Sequence, residues 1–96
     1  MRYQLRDYQV RPGEMDAWLA EWAASIRPLR EKFGFQIIGA WRVEAEERFV
    51  WILGYEGEGT FEEADRQYYE SRDRRALEPD PARHLAETRM WFMEGV

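Results

Sequence analysis

Few side chains in this chain could do chemistry, and most of them are arginines and aromatics. Arg6 and Tyr8 lie two residues apart in the run Arg2-Tyr3-Gln4-Leu5-Arg6-Asp7-Tyr8-Gln9-Val10. If that run is a strand, both point to one face. A guanidinium beside a phenol suits a carboxylate, which an arginine can hold through paired, charge-assisted hydrogen bonds. Trp41, Trp51, Tyr55 and Trp91 fall in later extended stretches and could pack the apolar body of such an acid. His84 is the single histidine, a group able to act as a base near neutral pH. Each feature also has a plainer use. Tryptophans at strand spacing pack cores and subunit interfaces, and a histidine at a helix end can sit at the surface.

Other chemistries lack their residues. One His and no Cys leave only carboxylates as metal ligands, without H-E-x-x-H or EF-hand spacing, so no metal is expected. There is no G-x-S-x-G elbow, and Ser25 and Ser71 fall in helical stretches. Gly57-Glu58-Gly59 lacks the third glycine of a dinucleotide loop, and there is no P-loop. No cofactor is expected. The run Arg72-Asp73-Arg74-Arg75 reads as a solvated helix end, with a phosphate or carboxylate site as the alternative.

The elements that must position these residues follow from periodicity. Residues 2–10 read as a strand with Tyr3 and Leu5 on one face and Gln4, Arg6, Tyr8 and Val10 on the other. The second set suits a wet or ligand-lined cavity, or else a solvated edge. Arg11-Pro12-Gly13 breaks the strand. From Glu14 to Phe33, apolar residues recur at helical spacing: Met15, Trp18, Leu19, Trp22, Ala23, Ile26, Leu29 and Phe33. Pro28 predicts a kink or break, with a short helical segment after it. Residues 33–56 then read as two strands joined by Glu44-Ala45-Glu46-Glu47. Strict alternation puts Phe35, Ile37, Gly39, Trp41 and Val43 on one face, and Phe49, Trp51, Leu53 and Tyr55 on one face of the next strand. Both faces are apolar, so both need a cover. Gly54, inside the second of these strands, marks a bulge or a close backbone approach.

Thr60 with Glu63 forms a capping box for a second helix, whose inward stripe is Phe61, Ala64, Tyr68 and then Arg72 and Ala76. Asp80-Pro81 restarts the chain as a short helical turn carrying His84 and Leu85. Residues 88–94 close it as a strand. The order strand, helix, strand, strand, helix, strand predicts an α+β, ferredoxin-like βαββαβ fold: a four-stranded antiparallel sheet with two helices on one face. The open face then needs water or a partner.

Size and charge narrow the classes. Ninety-six residues make one domain, residues 1–96, for which association adds useful burial. A net charge of −5 disfavours nucleic acid, and residues 48–55 do not match the aromatic signature of RNA-recognition strands. No stretch is apolar enough for a membrane span, and the N-terminus lacks a signal-peptide core, so no membrane role and a cytoplasmic location are expected.

The run Tyr3 to Tyr8, then Val10-Arg11-Pro12-Gly13, Pro28-Leu29-Arg30, Phe33-Gly34, Gly39-Ala40-Trp41 and Trp51-Ile52-Leu53-Gly54-Tyr55-Glu56 resembles the NIPSNAP family of the dimeric α/β-barrel superfamily. The resemblance covers about residues 2–70, and the family pattern often has Glu where Gln4 stands. It implies a protomer whose open sheet face packs on its twin to form a barrel. The superfamily also holds cofactor-free monooxygenases and isomerising enzymes, while the NIPSNAP branch has no settled reaction. The expected function is therefore a homodimer binding a small apolar or aromatic acid in the barrel through Arg6, Tyr8, Trp41, Trp51 and Tyr55, with His84 as the candidate catalytic group. The alternatives are a cofactor-free monooxygenase-like or isomerase-like enzyme, and a structural dimer without ligand.

Overall fold

A computed structural model describes residues 1–96. Strand β1 (Arg2–Val10) is followed by helix α1 (Met15–Glu21), a π-helical segment (Trp22–Ile26) and helix α2 (Arg27–Lys32). Strands β2 (Phe35–Val43) and β3 (Arg48–Tyr55) form the hairpin. Helices α3 (Phe61–Glu70) and α4 (Arg72–Arg75), a 3-10 turn (Pro81–His84) and strand β4 (Leu85–Met93) complete the chain. The sheet order is β2-β3-β1-β4 with every neighbouring pair antiparallel, which is the ferredoxin-like arrangement. No helix is long and apolar enough to cross a membrane.

Pro28 does not break the first helix. The backbone widens just before it, and the Arg27 N–H reaches back five residues to the Trp22 carbonyl. A π spacing absorbs the donor that proline lacks without stopping the helix. The stripe of Trp18, Trp22 and Ile26 stays buried through the segment. Gly34, at φ 91°, ends α2 in the left-handed region that other residues avoid. At the second helix the Glu63 N–H donates to Thr60 Oγ1 at 3.1 Å, as the capping box requires. Ser71 then caps a fresh turn by accepting from the Arg74 N–H, so the inward stripe does not continue to Arg72 and Ala76; Arg74 is the buried residue there. The last strand starts at Leu85 rather than Thr88, directly after the 3-10 turn.

The face that meets the helices carries Gln4, Arg6, Tyr8 and Val10 of β1 with Phe49, Trp51 and Leu53 of β3, all buried. β1 is a central strand, not a solvated edge. Strict alternation fails in β2. Ile37 pairs with Leu53 but Gly39 pairs with Ile52, so Ile38 is an extra residue, a β-bulge. Beyond it the parity of β2 inverts. Ala40 pairs with Trp51 and packs against the core, whereas Trp41 pairs with Val50 on the opposite face and is 52% exposed. The expectation that Phe35, Ile37 and Trp41 share a face is corrected by that one residue. Gly54 marks a close approach instead of the bulge: a side chain there would meet Met1 and Tyr3.

Candidate functional site

The site builds outward from Arg6. Its strand position points the side chain between the sheet and the helices, where it has no exposure. A charge in that position needs partners on every side, and it has them. Arg6 Nε donates to Gln4 Oε1 at 2.7 Å. Nη1 donates to the hydroxyls of Tyr8 at 3.2 Å and Tyr69 at 3.0 Å, and Nη2 donates to Asp65 Oδ1 at 3.0 Å. Burial alone would weaken its charge, but Tyr8, Tyr69 and Asp65 outweigh that, and Arg6 stays firmly protonated. Burial raises the Tyr8 and Tyr68 phenols above the ordinary tyrosine value, against the pull of the arginines, so both remain neutral.

Asp65 serves two cations. Arg30, 1% exposed, donates from Nη1 to the same Oδ1 at 2.7 Å. The Arg30 guanidinium also lies 3.8 Å from the Tyr68 ring centroid and 4.8 Å from that of Phe35, a stacking that offsets part of its desolvation. Arg74 joins from α4, pairing with Asp80 at 3.0 Å. Three buried guanidiniums therefore face two carboxylates.

A cavity of about 200 Å³ opens beside this cluster, walled by Tyr8, Trp18 and Trp51, by Arg30, Tyr68, Tyr69 and Arg74, and by Leu85 and Met90. Five buried polar atoms of these wall residues have no hydrogen-bond partner: Trp18 Nε1, Trp51 Nε1, Arg30 Nε, Arg74 Nε and Tyr68 Oη. Buried polar groups are nearly always paired, so five unpaired atoms among the residues of one wall make this cavity the candidate site.

The candidates read from the sequence divide. Arg6, Tyr8 and Trp51 come together, with Tyr8 and Trp51 lining the cavity and Arg6 directly behind it. Tyr55 packs on Phe35 and Phe61 at another part of the core, its hydroxyl donating to the Glu58 carbonyl. Trp41 lies on the far face of the sheet, placed there by the bulge. His84 is not a wall residue. It is held between two carboxylates, Nδ1 to Glu14 Oε1 and Nε2 to Glu21 Oε2, both at 2.8 Å. Glu21 and Glu14 raise its pKa above the ordinary value, and with both nitrogens engaged the imidazolium acts as a clamp. Arg83 adds a two-point pair to Glu21, and the Arg11 N–H donates to the His84 carbonyl.

Arg30, Asp65 and Tyr69 are absent from the sequence-derived set, and Arg74 enters it only within the run Arg72-Asp73-Arg74-Arg75, whose alternative reading is a phosphate or carboxylate site. Two had a signal. Arg30 follows Trp22 and Ile26 at i+4 spacing, and Asp65 and Tyr69 follow Phe61 at the same spacing.

A family model described as NIPSNAP matches residues 3–91. Among curated proteins none matches the chain by sequence. A crystal structure of an uncharacterized NIPSNAP domain protein from Burkholderia xenovorans superposes with a TM-score of 0.86 at 13% identity, covering 100% of this chain and 95% of its own. A NIPSNAP family protein from Agrobacterium tumefaciens reaches 0.88 at 14% identity, covering 99% and 92%. An antibiotic biosynthesis monooxygenase reaches 0.73 at 14% identity, covering 100% and 99%. At these identities the superpositions speak for the fold alone. With the family match spanning nearly the whole sequence, the chain belongs to the NIPSNAP family.

Proposed function

We propose that this chain works as a homodimer that binds a small aromatic or apolar acid in the cavity between its sheet and its helices. One observation carries the reading: Arg30, Arg74, Trp18, Trp51 and Tyr68, each with a buried polar atom that has no partner, wall a single cavity. With Arg6, Arg30 and Arg74 against Asp65 and Asp80, the surroundings have one positive charge in excess, which favours a monoanion. The remaining wall is aromatic and aliphatic, which suits an apolar body. His84, clamped outside the cavity, supports binding over acid–base chemistry at this site.

The open face supports the dimer. Its rows run Trp41-Val50-Asp7-Arg89 and Gly39-Ile52-Leu5-Trp91 across the four strands. Trp41 and Trp91 are both exposed, and an apolar patch of this kind rimmed by charge suits a second copy of the same sheet.

Calorimetric titration with phenylacetate tests the site. The expected result is one site per chain in the native protein and affinity weakened at least about tenfold in Arg74→Gln, which removes a charged hydrogen-bond donor. No heat of binding at millimolar phenylacetate would refute it. Light scattering over a dilution series tests the dimer, with a dimer expected for the native chain and a monomer for Trp41→Glu.

A further inference from the structure

The helices cover the sheet unevenly. Opposed residues of an antiparallel pair share a face. Thr88, Met90 and Phe92 of β4 oppose Tyr8, Arg6 and Gln4 of β1, so they lie on the helix side. The three β1 residues are buried, yet Met90 is 44% exposed, Phe92 is 41% exposed and Thr88 is exposed as well. The helix layer therefore ends over β1 and leaves the helix side of β4 bare. That bare strip adjoins the cavity, because Thr88 and Met90 are also wall residues. The dimer proposed above uses the opposite face, where Trp41 and Trp91 lie, so the strip stays free in it.

The cavity wall is graded in consequence. Arg30 and Arg74 belong to its buried part, while Tyr69, Ala82, Thr88 and Met90 form an exposed rim. The volume of about 200 Å³ takes one ring or a six-carbon chain with its acid group, given that an engineered cavity of about 150 Å³ holds benzene. A longer acid with its charged end at the buried arginines must lead its chain out over the rim. Met90 is the large aliphatic side chain there. Phe92, further along the strip, is already stacked by Arg2, whose guanidinium lies 3.7 Å from the ring centroid. The free apolar surface next to the cavity thus belongs to Met90.

We infer that the ligand, on the acid-binding reading above on which this rests, is a long-chain monocarboxylic acid: its carboxylate lies at the Arg30 and Arg74 side and its apolar chain runs out of the cavity over Met90. A chain lying on a half-exposed rim is about half buried, which is worth about twofold in affinity for each methylene.

The test titrates hexanoate, octanoate and decanoate calorimetrically into the full chain, beside phenylacetate. Affinity is expected to rise along the series, by at least about tenfold from hexanoate to decanoate. Met90→Gln keeps the length of the side chain but makes its end polar. It is expected to cut that gain at least about threefold while hexanoate affinity stays within about twofold. Arg74→Gln is expected to weaken hexanoate and decanoate by the same factor, since the charged end is common to both. Affinity that levels off or falls beyond hexanoate, while phenylacetate and hexanoate bind, would overturn the long-chain assignment and leave the acid-binding reading standing. A full gain surviving in Met90→Gln, or decanoate binding untouched by Arg74→Gln, would place the chain elsewhere and overturn it as well. Binding of none of the four acids would remove both.

Discussion

On the covered face of the sheet, Arg6 and Trp51 sit opposite each other, fully enclosed, and every polar atom of the arginine side chain is matched. One residue along the same strands, Asp7 and Val50 sit opposite each other on the other face, with Trp41 beside them exposed. The charges on that side are spent differently: Arg48 pairs with Asp7 and Gln9 within the face, at 2.8 Å each. The covered face thus holds its charge in a network closed except toward the cavity. The open face keeps its charge in a strip and leaves its aromatics bare. The contrast separates two uses of tryptophan in one small protein. Trp51 is a wall, and Trp41 lies exposed on the open face.

The sharpest way to break this contrast is to truncate one residue from each side. Trp51→Ala is expected to cost about 3–5 kcal/mol in urea unfolding, as buried tryptophans do, which is a large share of a small domain's stability. A cost under about 1 kcal/mol would mean that the covered face is not the packed one. Asp65→Asn comes next. It leaves Arg6 and Arg30 facing a neutral amide, and the expected loss is at the lower end of roughly 3–5 kcal/mol because Asp65 is partly open to water. An unchanged urea midpoint would show that the two arginines do not depend on it.

The pH profile is a smaller effect. His84 has its pKa raised in the folded protein by Glu21 and Glu14. Its contribution is therefore fully present below the unfolded value near 6.5 and lost as pH rises through the higher folded value. Native stability is expected to fall with rising pH above about 6.5, and His84→Gln is expected to flatten that slope. An equal slope in both proteins would assign the dependence elsewhere. The smallest effect belongs to Trp41→Ala, expected to change the unfolding free energy of the isolated protomer by less than about 1 kcal/mol. A larger loss measured at dilutions where the native chain is monomeric would show that Trp41 packs within its own chain.

Much of this division was legible. The alternation of Gln4, Arg6, Tyr8 and Val10 against Tyr3 and Leu5, the Thr60–Glu63 box and the Asp80-Pro81 restart each follow a local rule, and local rules survive folding when tertiary packing agrees with them. The family likeness rests on the first of these stretches, together with Val10-Arg11-Pro12-Gly13, Pro28-Leu29-Arg30 and the hairpin. Arg30 was hidden, and the run holding Arg74 was read first as a solvated end, because arginine in the last turn of a helix already has an adequate explanation in the helix dipole. Asp65 was hidden because a carboxylate on a helix normally faces water. The cavity needed all three together, from α2, α3 and α4, and no periodicity reports a meeting of that kind.

The extra residue in β2 has a consequence for how this strand tolerates change. A strand with one bulge is a message read in two frames. Up to Ile37 the odd-numbered residues lead to the covered side, and beyond Ile38 the even-numbered ones do. What matters at Ile38 is that the residue stands outside the count, far more than which residue it is. Substituting Ile38, exposed as it is, leaves both frames intact. Deleting it would join Ile37 directly to Gly39, and plain alternation would still keep Ala40 covered and Trp41 on the open face. The damaging change is one more residue between Gly39 and Ala40, which would turn Trp41 inward and send Ala40 out.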